Sequence, residues 1–509
     1  MALAVASAGA CADVPTFDVV QAAHRPSDIT LLDRHDVPIQ TVRVDKSVRR
    51  LAWVPLAEMS PALLRAIVLS EDRRFWEHSG VDWNAVAKSA WANLWNEKTR
   101  GASTLTMQLA GLIDDGLARP AGGRSVTQKL GQVATAWQLE HRWKKSEILE
   151  AYLNEVPFRG EIVGIDALAQ TLFGKHASGL DAAEAAIAAA LVRAPNAPAA
   201  SVAQRACGVL QLERLACTGV TALAETALLR KGTMPLGEQL APHYARQVVV
   251  ANGPAAQRTT LDAGLQRIAV GALRRQLAEL AGRNVEDGAV VVLDNASGEV
   301  LAWVGSGGDA TSRAAEVDGV IARRQPGSTI KPFVYELAFE RRVVTPATLL
   351  DDAPTQLATT GGLYVPQDYD HDFKGWVSVR SALGSSLNVP AVRVAAMLGP
   401  DAIVERLDAL GFALPQTGGY YGTSLALGSA DVTLLALTNA YRTLANGGLA
   451  APPVLRPGSR TAPRRVADAA AVYLVSDILA DNTARARTFG LASLLATRGH
   501  ASVKTGTSK

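Results

Sequence analysis

The chain has 509 residues, of which 48% are hydrophobic and 19% are charged, with a formal net charge of +3. This balance is typical of packed globular domains, so it excludes a disordered chain, and the length excludes a single small binding module and favours two or three domains. Because the charge is small and evenly spread, no nucleic-acid partner is expected.

The apolar residues 1–12 end in small side chains, as the tail of a signal peptide does, but they lack its basic start. We interpret residues 1–49 as the remnant of an export or anchor segment followed by a juxtamembrane segment; the alternative is an alanine-rich disordered tail. The sequence has no run of about eighteen apolar residues that could span a membrane.

The region 55–198 is predicted to be helical, because apolar residues recur at helical spacing over 63–68, just before the charged run 71–74. An alanine-rich helix over 181–192 is followed by two prolines, which mark a domain end. Residues 201–258 have weaker signals and are interpreted as a linker.

The three cysteines of the chain, Cys11, Cys207 and Cys217, are too few for a disulfide framework or a cysteine-rich zinc site. Cys207 and Cys217 would form a bridge only if the segment between them folds back, since ten residues of helix hold two residues about 15 Å apart. Free thiols are the favoured interpretation.

A second domain is predicted to begin near residue 259, where Asp262 is a candidate N-cap. The helix after it should present one apolar face, formed by Leu265, Ile268, Leu273, Leu277 and Leu280. Residues 289–304 then have the pattern of strand, turn and strand. The alternation of helices and strands that follows indicates a mixed α and β domain.

Three short motifs in this second half carry reactive side chains. Ser328 and Lys331 lie one helical turn apart, which is the geometry in which a lysine amine takes a serine proton, although the spacing alone is equally typical of a solvated helix face. Further along are Ser386-Leu387-Asn388 and 504–507, which read Lys-Thr-Gly-Thr. Such a triple pattern is found in β-lactamases and penicillin-binding proteins.

By these motifs residues 259–509 resemble the transpeptidase domain of class A penicillin-binding proteins. The resemblance implies a mixed α and β fold of the β-lactamase/transpeptidase type with an antiparallel sheet. It also implies that this domain is incomplete at its C-terminus, since further strand and helix follow the strand that bears Lys504 in that fold, and that residues 260–509 alone are unstable.

The resemblance assigns roles to the motif residues. Ser328 attacks the penultimate D-alanine carbonyl of a peptidoglycan stem peptide, and Lys331 acts as the base. Ser386 relays a proton to the leaving amine, and Asn388 holds the substrate amide. β-Lactams acylate Ser328 because they mimic the terminal dipeptide.

The last motif is implied to bind the substrate. Lys504 and Thr505 hold the terminal carboxylate by charge and hydroxyl. The backbone N–H groups of Ser328 and Thr507 form the oxyanion hole, and Gly506 belongs to the same substrate-binding motif.

An acidic stretch between the first two motifs resembles the start of a calcium loop, with Asp368, Asp370 and Asp372 at alternate positions. However, Phe373 occupies the position of the turn glycine and Val379 that of the last carboxylate. We therefore expect a solvated acidic loop and no metal ligands.

The first half contains Glu71, at the end of a predicted helix, and about thirty residues later the small-residue and hydroxyl run that contains Ser103, Thr104 and Gln108. Each alone is equally typical of a cap or a salt bridge. Together they resemble the lipid II glycosyltransferase domain that precedes the transpeptidase in class A proteins. This implies a mostly α, lysozyme-like domain over residues 50–200.

In that reaction the 4-hydroxyl of lipid II attacks C1 of the growing glycan and the diphosphate leaves. The resemblance makes Glu71 the base, Ser103, Thr104 and Gln108 substrate-binding residues, and Lys129 a candidate for the diphosphate. A divalent cation, Mg or Mn, is a further expectation without assigned ligands. Gln132 departs from the family pattern, because most members have a glutamate at this position, although one branch of the family has glutamine. The resemblance still makes Gln132 a substrate-binding residue. Because a neutral amide cannot bind a cation as a carboxylate would, turnover and metal dependence are left open.

Trp91 and Trp95 share one helix face between these motifs, which fits a core position and a bilayer contact equally. The sequence as a whole predicts a peptidoglycan synthase on the periplasmic face of the inner membrane. Its partners would be lipid II, glycan strands, stem peptides, β-lactams and the membrane. The alternatives are a non-catalytic cell-wall scaffold that binds β-lactams and, less favoured, a β-lactamase-like hydrolase.

Overall fold

The structure is a computed structural model that describes residues 14–82, 103–113, 126–230, 237–359, 362–365, 368, 372–497 and 501–508. The chain divides into two compact units. The first consists of Met1–Thr30, Thr41–Gly237 and Val250–Gln257, and the second of Leu31–Gln40, Glu238–Val249 and Arg258–Lys509.

The N-terminal half is mainly helical. Its described helices are α1 (Phe17–Ala23), α2 (Pro61–Glu71), α3 (Leu105–Ile113), α4 (Val126–Arg142), α5 (Lys145–Glu155), α6 (Ile165–Leu168), α7 (Ala182–Arg193), α8 (Ala199–Leu212) and α9 (Val220–Leu229). Its strands are β1 (Asp28–Leu32), β2 (Pro38–Arg43), β3 (Arg49–Arg50), β4 (Ile162–Val163) and β5 (Ala256–Arg258). The sheet order is β2-β1-β5, and β3 pairs with β4 in parallel.

The predicted alanine-rich helix forms the centre of the first unit as α7. Asp181 caps it by accepting hydrogen bonds from the backbone N–H groups of Ala183 and Glu184, and residues 184–191 are all buried. Small side chains allow neighbouring helices to approach this helix closely, so α2 and α8 both pack on it. The predicted helical first domain is confirmed.

The interpretation of residues 201–258 as a linker is wrong for its first thirty residues. Helices α8 and α9 bury Val202, Ala206, Val220 and Ala224 in the core of the first unit. Each helix needs only one apolar face for this packing. In an alanine-rich sequence that face differs little in hydrophobicity from the exposed face, so the sequence pattern did not indicate it.

Cys207 and Cys217 are free thiols, as expected. They lie close together at the end of α8, where the Cys217 Sγ approaches the backbone oxygen of Cys207 at 3.5 Å. Cys11 lies outside the described residues.

The C-terminal half is mixed α and β. Its described helices are α10 (Pro242–Val248), α11 (Ala263–Glu279), α12 (Lys331–Glu340), α13 (Val379–Gly384), α14 (Asn388–Leu398), α15 (Pro400–Ala409), α16 (Gly418–Tyr421), α17 (Leu434–Ala445), α18 (Ala469–Ala480) and α19 (Ala486–Phe489). Its strands are β6 (Val290–Leu293), β7 (Val300–Val304), β8 (Leu349–Asp352), β9 (Leu357–Thr359), β10 (Gly362–Tyr364), β11 (Gly375–Ser378), β12 (Leu449–Ala450) and β13 (Arg464–Arg465).

The cap and the hairpin predicted near the start of the second domain are present, although the second unit also includes Leu31–Gln40 and Glu238–Val249. Asp262 caps α11 by accepting a hydrogen bond from the Leu265 N–H at 2.8 Å, and β6 and β7 form the predicted hairpin. One residue does not belong to the expected apolar face: Ile268 is 66% exposed, because α11 packs on the hairpin along a narrower stripe that includes Leu265 and Leu273.

The strand pairs of this half are all antiparallel but short: β6 with β7, β8 with β11, β9 with β10 and β12 with β13. Residues 501–508 belong to no described strand, so the antiparallel sheet is less extensive than expected. The core forms instead around α12, whose residues Lys331–Phe339 are buried throughout. None of the helices in the described ranges has the length and apolar character that a bilayer crossing requires.

Candidate active sites

The second unit presents Ser328 on a 3-10 turn, Gly327–Ile330, which leads directly into α12. Gly327 precedes the serine with φ +57°, and a Cβ atom at this position would lie 2.4 Å from the backbone oxygen of Thr507. Only glycine permits both this backbone conformation and the close approach. The turn therefore places the half-buried Ser328 against the last motif.

Lys331 is fully buried one turn after the serine. Its Nζ donates hydrogen bonds to the backbone oxygens of Ser386 and Leu387, at 2.6 and 2.9 Å, and to Asn388 Oδ1 at 2.7 Å. Burial, and then the nearby charge of Lys504, lower the pKa of Lys331 well below its ordinary value. The Lys331 amine can therefore lose its proton, and its three hydrogen-bond acceptors would stabilise the ammonium form.

The middle motif is held in a strained turn. Ser386 has φ +60°, and its hydroxyl accepts a hydrogen bond from Lys504 Nζ at 2.7 Å. The serine is therefore placed between the two lysines of the site, as a proton relay requires. Asn388 begins α14, which fixes the direction of its side chain toward Lys331.

The last motif lies against the nucleophile turn. A Cβ atom on Gly506 would lie 2.7 Å from the Thr329 side chain, so glycine is needed here as well. Lys504 and Thr505 are half-buried, whereas Gly506 and Thr507 are exposed. Burial lowers the pKa of Lys504 to about 7. Hydrogen bonds thus link Lys331, Ser386, Asn388 and Lys504, and the turn that bears Ser328 lies against Gly506 and Thr507.

The predicted acidic loop is only partly solvated. Asp372 is exposed and pairs with Lys374, but Asp368 is 4% exposed and accepts a hydrogen bond from the Asn388 backbone N–H at 2.5 Å. The expectation of a solvated loop is therefore wrong for Asp368, because the residue caps α14. Asp370 lies outside the described residues.

In the first unit, Glu71 is the last residue of α2. Its carboxylate accepts a hydrogen bond from Gln108 Nε2 at 3.3 Å, and the fully buried Tyr152 hydroxyl donates to Gln108 Oε1 at 2.9 Å. Because the tyrosine donates to the amide oxygen, the amide N–H₂ group of Gln108 must face Glu71. Gln108 thus positions the carboxylate, and Tyr152 is a contributor that the sequence reasoning missed.

The adjoining Asp72 fixes the second motif. Its carboxylate bonds His78 Nε2 at 2.9 Å and the Leu105 backbone N–H at 3.0 Å, and Thr104 donates its hydroxyl proton to the Gly80 oxygen at 2.6 Å. Thr104 thus makes a structural contact here, and the substrate-binding role implied for it stays a prediction. These bonds hold the start of α3 against the end of α2.

The structure describes the side chains of two of the three remaining predicted residues of this site. Ser103 is exposed beside Thr104, and Gln132 is buried on α4. The side chain of Lys129 lies outside the described residues, as do Trp91 and Trp95.

Comparison with known proteins agrees with both sites. A family model described as Transglycosylase matches residues 36–213, and a model described as Penicillin binding protein transpeptidase domain matches residues 288–509. Both candidate sites fall inside these ranges, in the order expected of class A proteins.

The chain is 35% identical over 441 residues to penicillin-binding protein 1C of Escherichia coli, covering 84% of this chain and 55% of that protein. It is 30% identical to penicillin-binding protein 2D of Bacillus subtilis, covering 78% and 59%, and 31% identical to penicillin-binding protein 1B of Vibrio cholerae, covering 77% and 53%. The chain thus spans little more than half the length of these curated relatives.

Among solved structures, penicillin-binding protein 1A from Haemophilus influenzae matches with a TM-score of 0.55 at 17% identity, covering 91% of this chain and 80% of that chain. This likeness supports the fold. The two family matches in one chain, with the curated relatives, show that the chain belongs to the class A penicillin-binding proteins.

Proposed function

We propose that this protein is a peptidoglycan synthase that polymerises lipid II in its first unit and cross-links stem peptides in its second. The observation that carries the proposal is the hydrogen-bonded cluster of Lys331, Ser386, Asn388 and Lys504, which lies directly after the turn that bears Ser328. An acyl-serine reaction needs a nucleophile, a base and a charged group for the substrate carboxylate, and these residues supply all three.

For cross-linking, the Ser328 Oγ forms a bond to the penultimate D-alanine carbonyl carbon, and the C–N bond to the terminal D-alanine breaks. Lys331 takes the serine proton, and Ser386, which accepts a hydrogen bond from Lys504, passes a proton to the leaving amine. An amine of a second stem then attacks the acyl-enzyme and releases Ser328. With a β-lactam as substrate, the reaction would stop at the acyl-enzyme.

For polymerisation, Glu71 takes the proton of the lipid II 4-hydroxyl as that oxygen bonds C1 of the growing strand and the diphosphate leaves. The Gln108 amide holds the carboxylate in place. Lys129 is our candidate for the diphosphate, and Ser103 and Gln132 for further substrate contacts.

A resident Mg or Mn ion fits these residues poorly. Glu71 is a single carboxylate whose described polar neighbours are the Ser70 hydroxyl and the Gln108 amide, and Gln132 is a neutral amide. Mg²⁺ is usually held by one or two carboxylates together with substrate phosphates, so Glu71 alone would not hold a resident ion in the absence of substrate. The reaction steps proposed above therefore use no metal ion.

We further propose that the protein works on the periplasmic face of the inner membrane. Lipid II is a membrane lipid, and a glycosyltransferase that binds it must reach the bilayer surface. Stem peptides, the other substrate, belong to the wall outside that membrane.

The direct test of the acyl-serine chemistry is mass spectrometry of the protein after treatment with benzylpenicillin. One persistent adduct is expected, mapped to the peptide that contains Ser328 and absent from Ser328→Ala. An adduct on another residue would contradict the assignment. An adduct at Ser328 that hydrolyses rapidly would favour a β-lactamase-like hydrolase.

The pKa of Lys504, lowered to about 7 by burial, predicts a pH dependence of β-lactam binding. The ammonium that attracts the β-lactam carboxylate is present below this pKa and is lost as the pH rises above it. We expect the pre-acylation affinity for benzylpenicillin to fall about tenfold between about pH 6 and about pH 8.5.

The matched control for this measurement is Lys504→Arg, because a guanidinium stays charged over the whole range. Its affinity should be independent of pH over the same interval, whatever its absolute value. Equal slopes for the parent and Lys504→Arg would show that Lys504 is not the titrating group.

A further inference from the structure

Two buried carboxyl groups beside Lys331 are not used by the chemistry described above. Asp352 is fully buried at the end of β8, and Asp368 is nearly so. Each carboxyl binds one backbone N–H: Lys374 N donates to Asp352 Oδ2 at 2.8 Å, and Asn388 N donates to Asp368 Oδ1 at 2.5 Å. The other oxygens, Asp352 Oδ1 and Asp368 Oδ2, are buried without a hydrogen-bond partner among the described residues.

The two carboxyl groups interact with each other. The proximity of Asp368 is one of the causes, after burial, that raise the pKa of Asp352 to about 7. Two carboxylates in contact repel strongly, and a carboxylate oxygen cannot donate. One proton held by the pair removes the repulsion and lets one carboxyl group donate a hydrogen bond where two carboxylates could not.

Other titratable groups surround this carboxyl pair on every described side. Lys331 and Tyr335 face it from α12, where they are one turn apart, and Lys374 adjoins it at the start of β11. Lys504 acts on the same cluster through Lys331. The Tyr335 hydroxyl is buried without a described partner, and burial together with both carboxyl groups raises its pKa. Tyrosine therefore stays neutral here.

We propose that Asp352 and Asp368 share a single proton and act as one positioning unit with one negative charge, which holds the Asn388 end of the middle motif and serves as the counter-ion of Lys331. The inference rests on the proposed transpeptidase function and deepens it. Asp352 and Asp368 do not touch the substrate; they act through Asn388 and Lys331.

A single charge is what the reaction requires of this pair. With two charges, the pair would hold Lys331 as an ammonium, which cannot take the Ser328 proton. With none, the ammonium formed during acylation would lack a counter-ion in a buried site. The pair neither gains nor loses a proton in the step, because the serine proton goes to Lys331.

The first test compares Asp352→Asn, Asp368→Asn and the double variant by the rate of acylation with a fluorescent penicillin from about pH 5 to about pH 9. Asparagine mimics a protonated carboxyl, so each single variant keeps one charge and one hydrogen bond within the pair. Both should therefore keep the midpoint of the acid limb of the profile. The double variant should lower that midpoint by about one pH unit, because Lys331 loses its counter-ion.

The contradicting results are equally distinct. A pair with two charges would shift the midpoint in both single variants, and a pair that serves only in packing would shift it in none of the three. Asp351→Asn is the matched control, since Asp351 is the neighbouring residue on β8 and lies 3.9 Å from Arg393.

A second measurement tests the shared proton without using acylation. It therefore remains decisive if the proposed function is wrong or if the double variant does not fold. Infrared difference spectra of the parent near neutral pH should show the C=O stretch of a buried protonated carboxyl. The band should disappear in each single variant and persist in Asp351→Asn. A parent spectrum without this band would overturn the shared proton.

Discussion

Replacing Lys331 with methionine is expected to slow the acylation of Ser328 by benzylpenicillin about a thousandfold. Methionine fills much of the same buried volume, so the site stays packed, but it has no group that can take the serine proton. The acid limb of the pH profile should disappear together with the rate. Rapid-mixing kinetics with a fluorescent penicillin measure both quantities.

The substitution also leaves three oxygens of the middle motif without their shared donor, the lysine Nζ. An unsatisfied buried acceptor costs about 1–3 kcal/mol, which the removal of a buried charge partly offsets. Thermal melting must therefore accompany the kinetics. A variant that melts like the parent and still loses acylation separates the chemical role from a structural one.

The control for this variant is Lys374→Met. Lys374 is also a lysine of the second unit; its Nζ pairs with the exposed Asp372 at 2.8 Å, and its hydrogen bond to Asp352 comes from the backbone N–H, which the substitution keeps. Its acylation rate should stay within about threefold of the parent. If Lys331→Met reacted as fast as Lys374→Met, a group other than the Lys331 amine would have to be the base.

The second large effect is expected for Glu71→Gln, which should reduce the polymerisation of lipid II at least about a hundredfold. Glutamine preserves the shape and can still accept the hydrogen bond from Gln108, so the end of α2 keeps its position. What is lost is the ability to take the hydroxyl proton. Gel analysis of labelled lipid II products in detergent provides the measurement.

Two further variants refine this result. Glu77→Gln is the control, because Glu77 is exposed and pairs with Arg74, and it should polymerise lipid II like the parent. Tyr152→Phe removes the donor that fixes the Gln108 amide, so an intermediate loss of about tenfold is expected. Full activity in Glu71→Gln would show that the base lies elsewhere in the first unit.

Local geometry made part of the second site predictable from sequence. Ser328 and Lys331 are three residues apart on a helical turn, and a resemblance of motifs joined them to Ser386 and Lys504. The contact between Ser386 and Lys504 spans 118 residues, so no periodicity in the chain could indicate it. The motif resemblance supplied that link, and the structure supplied its distance.

Other residues escaped prediction because their environment depends on distant packing. Asp368 has the local sequence of a solvated loop, and only the N–H of Asn388 and the neighbouring Asp352 account for its burial. In the sequence, Tyr152 is indistinguishable from the other core positions of α5. Its role depends on the hydrogen bond to Gln108, which only the fold brings beside it. In the fold, α8 and α9 were missed because alanine-rich helices show little contrast between their buried and exposed faces.

The central claim is that one chain both polymerises and cross-links peptidoglycan. Its most direct test is to incubate the protein with lipid II and digest the product for separation of its disaccharide peptides. We expect cross-linked dimers from the parent, only uncross-linked units of a polymer from Ser328→Ala, and no polymer from Glu71→Gln. An inactive parent whose Gln132→Glu variant makes polymer would contradict the account and indicate a first unit retained for binding.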